Sequence, residues 1–539
     1  MNSLVIAAAA GLLFFVAYRF YAKFIEKLYG VDPARKTPAE EKCDGVDYVP
    51  AKHWTVLFGH HFSSIAGAGP VVGPILALAY WGWLPTILWV VLGTIFMGGV
   101  HDFGSLMASV RHGGSSIAHV AERLVSKRAR ILFSAFTWLA LVLIIAVFTE
   151  FCARTLVVEE KIVIPTFGLI PVAVLTGYLL YQRKAKQVPI TVFGLGLLAG
   201  MIVLGAYVPV NLGGRGLQIW MVVLFLYCIV ASVTPVQLLL QPRDYLSAFL
   251  LFVGMGIGYL GLVVTHPVIK LPAFTGWKAG VGPLWPMLFV TVACGAISGF
   301  HSLISSGTTS KQIATEKHAR RIGYGGMVAE GLVAALALLA VASGFTGLSS
   351  LTKMVKAGET IPAFGQGFSF VTRPILGGFG GLMAITILNA FILTTLDTAT
   401  RITRYMTEEL FGIRNRIVAT VFPVVLAGGL VWGGKAAKIW TVFGAANQLM
   451  AALALMVVTF WLLSQQKLVR YTLIPGIFML ATTVGSLAYG VVKYVKSKDF
   501  LLAVISLVLI ALSILMLAES IAALRRVRRT QKAQRPELG

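Results

Sequence analysis

The chain has 539 residues, of which 57% are hydrophobic and only 12% charged, and 45 Lys and Arg against 21 Asp and Glu leave a net charge of +24. A soluble domain carries about 25% charged residues, so these proportions exclude a water-facing surface of this size and make lipid much of the solvent. Lipid obliges the backbone to satisfy its own hydrogen bonds, which leaves helices or closed barrels. The apolar runs last about twenty residues, the length of a spanning helix, not the roughly ten alternating residues of a barrel strand.

The positive charge sits between apolar runs and not along one face, so it points to membrane topology and to no nucleic-acid partner. Cys43, Cys152, Cys228 and Cys294 lie far apart and predict neither a disulfide framework nor a zinc site.

In chain order the apolar runs predict about fifteen spanning helices. The first is 3–25, which has no basic segment before it and reads as a retained span, not a cleaved signal. Next come 55–80, 83–110, 131–156, 162–182, 190–210, 217–240 and 246–266. The remainder are 284–305, 325–346, 375–399, 417–432, 439–463, 471–492 and 500–524, while 361–379 is expected to dip in without crossing. Between the third and fourth, Ser115–Arg128 sets Ile117, Val120, Ala121 and Leu124 on one helical stripe beside a basic face. That pattern fits an interfacial helix or a polar loop.

Loops after odd-numbered spans hold 30 Lys and Arg, and loops after even-numbered spans hold 12. Basic loops stay in the cytoplasm, so the N-terminus is expected outside and the Arg525–Arg535 tail inside.

Two spans carry residues that break helices. The second contains Gly59-His60-His61-Phe62-Ser63-Ser64-Ile65-Ala66-Gly67-Ala68-Gly69-Pro70 and then Gly73-Pro74, and Gly and Pro both weaken a helix. A rise of ~1.5 Å per residue puts Gly67 about 17 Å deep, near the midplane. The ninth holds Gly295, Gly299, His301, Ser302, Ser305, Ser306, Gly307, Thr308 and Thr309. Gly59, His61 and Gly67 recur there as Gly299, His301 and Gly307, at an offset of 240. Seven steps apart, the two spans run in opposite directions, and interrupted helices so placed point to a transporter's substrate site. The candidate substrate contacts are Ser63, Ser64, Gly67, Gly69, Ser302, Ser305, Ser306, Thr308 and Thr309.

Ionisable groups inside spans are expensive, and are functional candidates by default. His60, His61, Asp102, His301 and Asp397 are the candidates for carrying a coupling proton or ion. Asp102 pairs either with a His or with Arg111, and Asp397 either holds a cation or anchors Arg401. Glu150 and Arg154, four apart, are expected to form an ion pair, and Arg243-Asp244 a turn pair. Glu330 is placed near a span end, where it can snorkel. Asn447 and Gln448 suit helix–helix bonding or ligand contact. A metal would need three or four converging ligands, which His61, His101, Asp102 and His301 would have to supply; no metal or other cofactor is assigned. No nucleophile elbow, Walker loop or HExxH is present, so neither an enzyme nor a built-in ATPase is expected.

Gly45-Val46-Asp47-Tyr48-Val49-Pro50, Gly59-His60-His61-Phe62 and Ala66-Gly67-Ala68-Gly69-Pro70 together resemble the carbon starvation protein A family. Ser298-Gly299-Phe300-His301, Ser305-Ser306-Gly307-Thr308-Thr309-Ser310-Lys311-Gln312 and Gln241-Pro242-Arg243-Asp244-Tyr245 extend the likeness. Leu396-Asp397-Thr398-Ala399-Thr400-Arg401 and Phe443-Gly444-Ala445-Ala446-Asn447-Gln448 carry it over nearly the whole chain. The resemblance implies a carrier of the bacterial cytoplasmic membrane, expressed in carbon starvation, that takes up peptides and in some members pyruvate with protons. It also implies distant kinship with amino-acid carriers built on an inverted repeat. His101 stands before Asp102 where family members carry Gln, and the chain is short for the family, so the same substrate does not follow.

The expectation is an all-α polytopic membrane protein of about 15 transmembrane helices with an inverted-repeat core. One integral domain covers 1–539, divided into 1–373 with both broken helices and a five-helix portion 374–539. The expected function is proton-coupled import of a small carboxylate-bearing nutrient, a peptide or a 2-oxo acid such as pyruvate. A channel and a nutrient sensor are the alternatives.

Overall fold

The computed structural model describes residues 1–539 except 46, 52, 180–182, 184–185, 235–239, 433–435 and 534–539. Val46 of the first family string, the end of the expected span 217–240 and the end of the basic tail lie outside the described residues.

Among the described residues, thirteen helices are long and apolar enough to cross a membrane, and one bent pair makes a fourteenth. Helix α1 covers Ser3–Tyr29, and the bent pair is α2 (Trp54–Ile65) with α3 (Gly69–Trp81), which meet at 44°. There follow α4 (Trp83–Arg111), the short α5 (Ile117–Leu124) and the long α6 (Lys127–Val158). Next stand α7 (Glu160–Gly177), α8 (Val188–Tyr207), α9 (Gly213–Val233) and α10 (Arg243–Thr265). The span Leu284–Lys311 is divided into α11 (Leu284–Val292) and α12 (Gly299–Gly307). Helix α13 is Glu316–Gly344, and α14 (Leu348–Lys356) and α15 (Thr360–Leu376) lead to α16 (Phe379–Phe411). The chain closes with α17 (Arg416–Val431), α18 (Lys438–Ser464), α19 (Arg470–Lys496) and α20 (Phe500–Arg525).

All fifteen expected spans therefore have a helix, although α17, at 16 residues, is shorter than a straight crossing needs. The stretch 361–379 forms α15, 17 residues that fall outside the spanning set and pack against α10, α13 and α16. The amphipathic stretch after the third span is the helix α5. Ser116 caps it, its Oγ accepting from His119 N, and Ile117, Val120 and Ala121 are buried.

An inverted repeat is legible in the helix starts. Trp54 and Leu284 open the first halves of the two broken spans and Gly69 and Gly299 the second halves, each pair 230 residues apart. Six spans separate the two, so they run in opposite directions. The echo at 240 does not follow this register, because it matches the first half of one span with the second half of the other. The long helices α6 and α16, of 32 and 33 residues, occupy equivalent places, each after short non-spanning helices, and pack together.

Close contact of the broken spans with each other and with α18 depends on absent side chains. A Cβ on Gly73 would lie 2.3 Å from the Val292 carbonyl oxygen, and one on Gly299 would lie 2.4 Å from the Asn447 carbonyl oxygen. Small residues let helix backbones meet where lipid gives no hydrophobic drive to association.

Candidate transport site

The first break runs through Ala66–Ala68, where Ala66 leaves the helix at φ −79°, ψ 64°. The second runs from Ala293, at φ 42°, ψ −112°, to Ser298. A non-glycine residue held in such a conformation stores about 1–3 kcal/mol and persists only where its surroundings over-determine it. Here they do. Gly69 lies so close that a Cβ on it would stand 2.5 Å from Cys294 Cβ, so the two breaks are pressed together. Thr94 Oγ1 donates to the Gly295 carbonyl at 3.2 Å, Trp440 Nε1 to that of Thr291 at 3.3 Å and Thr394 Oγ1 to that of Ser63 at 3.4 Å.

Asn447 of α18 holds the second break open. Its Oδ1 accepts from Phe300 N at 3.0 Å, an N–H of the first turn of α12 with no partner inside that helix, and from Ser298 Oγ at 3.2 Å. Its Nδ2 donates to Cys294 Sγ at 3.3 Å. Gln448 beside it donates to the Phe289 carbonyl at 2.7 Å. Of the two roles open to these amides, helix–helix bonding is the one they occupy.

Two buried clusters of charge flank the breaks. In the first, Asp102 of α4 takes His101 Nδ1 at 2.7 Å on Oδ1 and His301 Nδ1 at 2.8 Å on Oδ2. The other ring nitrogen of His301 lies 3.2 Å from Glu330 Oε2. All four residues are fully buried. Glu330 thus does not snorkel, because α13 begins well before it at Glu316 and carries it into the core. Arg111 is not the partner of Asp102; it donates to Glu316 at 2.8 Å and to the Gly30 carbonyl at 2.6 Å. His61 stays outside this cluster, with its Nδ1 2.9 Å from Thr309 Oγ1. Glu330 Oε1, His61 Nε2 and His101 Nε2 are buried without a hydrogen-bond partner among the described residues.

In the second cluster Asp397 of α16 bonds to Arg243 of α10 and accepts from Tyr227 OH of α9 at 2.8 Å. Arg243 also reaches Asp244 at 3.2 Å, and His60 Nδ1 lies 3.5 Å from the other oxygen of Asp244. The turn pair expected at 243–244 is therefore a buried junction of four helices, since Arg243 is fully buried and opens a span. Arg401 is not anchored by Asp397; it donates to the carbonyls of Ala231 and Thr234 at 2.8 and 2.5 Å. Glu150 and Arg154 do pair, at 2.8 Å, and Glu150 also accepts from Ala436 N.

A polar cavity of about 590 Å³ opens beside the second cluster. His60, Ser64, Asp244, Ser306, Thr308, Lys311 and Arg401 line it. Between the breaks a separate space of only about 10 Å³ is lined by Gly67, Gly69, Cys294, Phe148, Phe300 and Phe443, at most room for a single water. Ser302 Oγ donates back to Gly299 O, Ser306 Oγ accepts from Ile117 N, and Ser63 and Ser305 are buried among the half-helices. The sequence-predicted contacts thus divide between the cavity wall (Ser64, Ser306, Thr308), the break (Gly67, Gly69) and helix packing (Ser63, Ser302, Ser305, Thr309). Tyr227 was missed. Tyr belongs at membrane interfaces, so one in mid-span was the signal that its hydroxyl has a buried partner.

Two broken helices of opposite direction, set against each other in the middle of a bundle, define the class of inverted-repeat secondary transporters. A mutant of the manganese transporter of Eremococcus coleocola has the same fold, with a TM-score of 0.52 at 15% identity over 89% of this chain and 98% of its own. The profile described as carbon starvation protein CstA matches residues 2–357 and 346–486, and the chain belongs to that family. The peptide transporter CstA of Escherichia coli (strain K12) is 34% identical across 90% of this chain and 80% of its own length. The pyruvate/proton symporter BtsT of the same strain is 32% identical across 90% and 81%.

Proposed function

We propose that the chain imports a small carboxylate-bearing nutrient, a short peptide or pyruvate, together with a proton, across the bacterial inner membrane. The observation that carries the reading is that the two breaks are pressed together, with a polar cavity walled by the neighbouring half-helix residues Ser64 and Ser306. The relatives supply the substrate classes, one being named a peptide transporter and another a pyruvate/proton symporter. Lys311 and Arg401 on the cavity wall suit a carboxylate, and Ser64, Ser306 and Thr308 supply hydroxyls around it. On import, substrate held between the breaks near Gly67 and Gly69 passes into this cavity when Phe148, Phe300 and Phe443 give way.

With the N-terminus outside, the cavity faces the cytoplasm, and Phe364 and Phe368 of α15 cover the first break from the other side. Closure between the breaks supports a carrier over a channel, which needs a continuous pore. The coupling proton is carried by His60 with Asp244 at the cavity wall and by Asp102, His301 and Glu330 behind α12. A buried cluster with unpaired polar atoms is expensive to keep, which supports a working role for it.

The test is uptake of labelled pyruvate and of dipeptides into proteoliposomes under an imposed pH gradient. A protonophore should abolish accumulation in the wild type. Glu330→Gln should lose accumulation while keeping counterflow, and equal accumulation by wild type and variant would remove this cluster from coupling.

A further inference from the structure

Outside the transport site, a groove of about 830 Å³ runs between α1, α2, α10 and α13. Its size falls in the range of roughly 300–1,000 Å³ that small-molecule sites occupy. Tyr18, Trp54, Phe58, Phe249, Phe252 and Leu332 line it, and Phe249 and Phe252 remain more than a third exposed, so it opens toward the lipid. The aromatic walls are rigid. Phe252 stacks on Phe58 and Phe62 with ring centres 6.0 and 5.2 Å apart.

One end of the groove is basic. Arg321 lines it and lies over the Trp54 ring at 5.3 Å, which occupies the face of the guanidinium and leaves its N–H edge available. Its neighbour Arg320 is paired with Glu26 at 3.3 Å, whereas Arg321 has no ion-pair partner among the described residues. His318 stands within electrostatic reach of Arg321, Lys317 and His53. An apolar trough ending at an unpaired arginine complements a molecule with hydrocarbon at one end and a phosphate at the other. Basic pockets between membrane helices take anionic headgroups in this way.

We propose that this groove is a binding site for an anionic phospholipid, with the phosphate on Arg321 and an acyl chain along Trp54, Phe58 and Phe252. One wall is α2, so the lipid braces the half-helix that precedes the first break. The site stands apart from the transported nutrient and does not depend on its identity.

Native mass spectrometry of the purified full chain, titrated with phosphatidylglycerol or phosphatidylcholine, tests it. The wild type should retain phosphatidylglycerol at least about five-fold better, and the preference should fall as salt is raised, because exposed charge is screened. Arg321→Ala should bring the ratio near one, Ala329→Phe should fill the trough and reduce retention of both lipids, and Lys356→Ala should change nothing. If Arg321→Ala does not purify, the wild-type salt series and Ala329→Phe decide. Equal retention of the two lipids by the wild type, an unchanged ratio in Arg321→Ala or unchanged retention in Ala329→Phe would overturn the proposal.

Discussion

Arg243 is fully buried in a bundle of helices, and Asp397, Asp244 and Tyr227 supply the environment that water would otherwise provide. Removing one partner of a buried ion pair costs about 3–5 kcal/mol, chiefly because the other charge is stranded. Asp397→Asn should therefore lower the thermal unfolding midpoint in detergent markedly. Replacing both partners, as Arg243→Met with Asp397→Leu, should recover part of that stability, since apolar isosteres of a buried pair are often neutral while Asp244 keeps only His60 beside it. If Asp397 also serves coupling, the double variant will be stable and still fail to accumulate substrate. Recovery of both stability and accumulation would make the pair purely structural.

At the scale of elements, Asn447 and the glycines shape the breaks. Asn447→Leu leaves the Phe300 N–H and Ser298 without their partner, and loss of a helix cap costs typically about 1 kcal/mol. The expected outcome is a small fall in unfolding midpoint with a larger fall in transport rate. Gly73→Ala drives a methyl into the Val292 carbonyl oxygen, 2.3 Å from where its Cβ must sit, and overpacking of this kind costs typically 1–3 kcal/mol. A Gly73→Ala chain that melts with the wild type would show that α3 and α11 are not so tightly joined.

The broken spans were legible because Gly67, Gly69 and Pro70 interrupt an apolar run, and local propensity decides such a feature. The register of the repeat was not legible. The chance recurrence of Gly59 and His61 at 240 hid the true separation of 230 between helix starts. A His was expected as one of two partners for Asp102 and is found there, but which distant His, and the partners of Asp397 and Glu330, escaped sequence reasoning for a different reason. His301, Arg243 and Tyr227 are far away in the chain, and only packing of the helices brings them within reach. Helical periodicity fixes which residues share a face, which is why the Glu150–Arg154 pair was found.

For the whole molecule, the asymmetry of 30 basic residues against 12 predicts a cytoplasmic loop between α1 and α2. Cys43 lies in that loop and is exposed, while Cys152, Cys228 and Cys294 are buried. A membrane-impermeant maleimide should therefore label inside-out vesicles and spare right-side-out ones, and the reverse pattern would invert the topology. The central claim is that the two breaks form one site that faces each side in turn. Counterflow measures this directly, by loading proteoliposomes with unlabelled pyruvate or dipeptide and following uptake of the labelled compound without any ion gradient. The account expects transient, saturable accumulation that requires substrate inside. Flux that is indifferent to internal substrate, or absent for every 2-oxo acid and peptide tried, would contradict it.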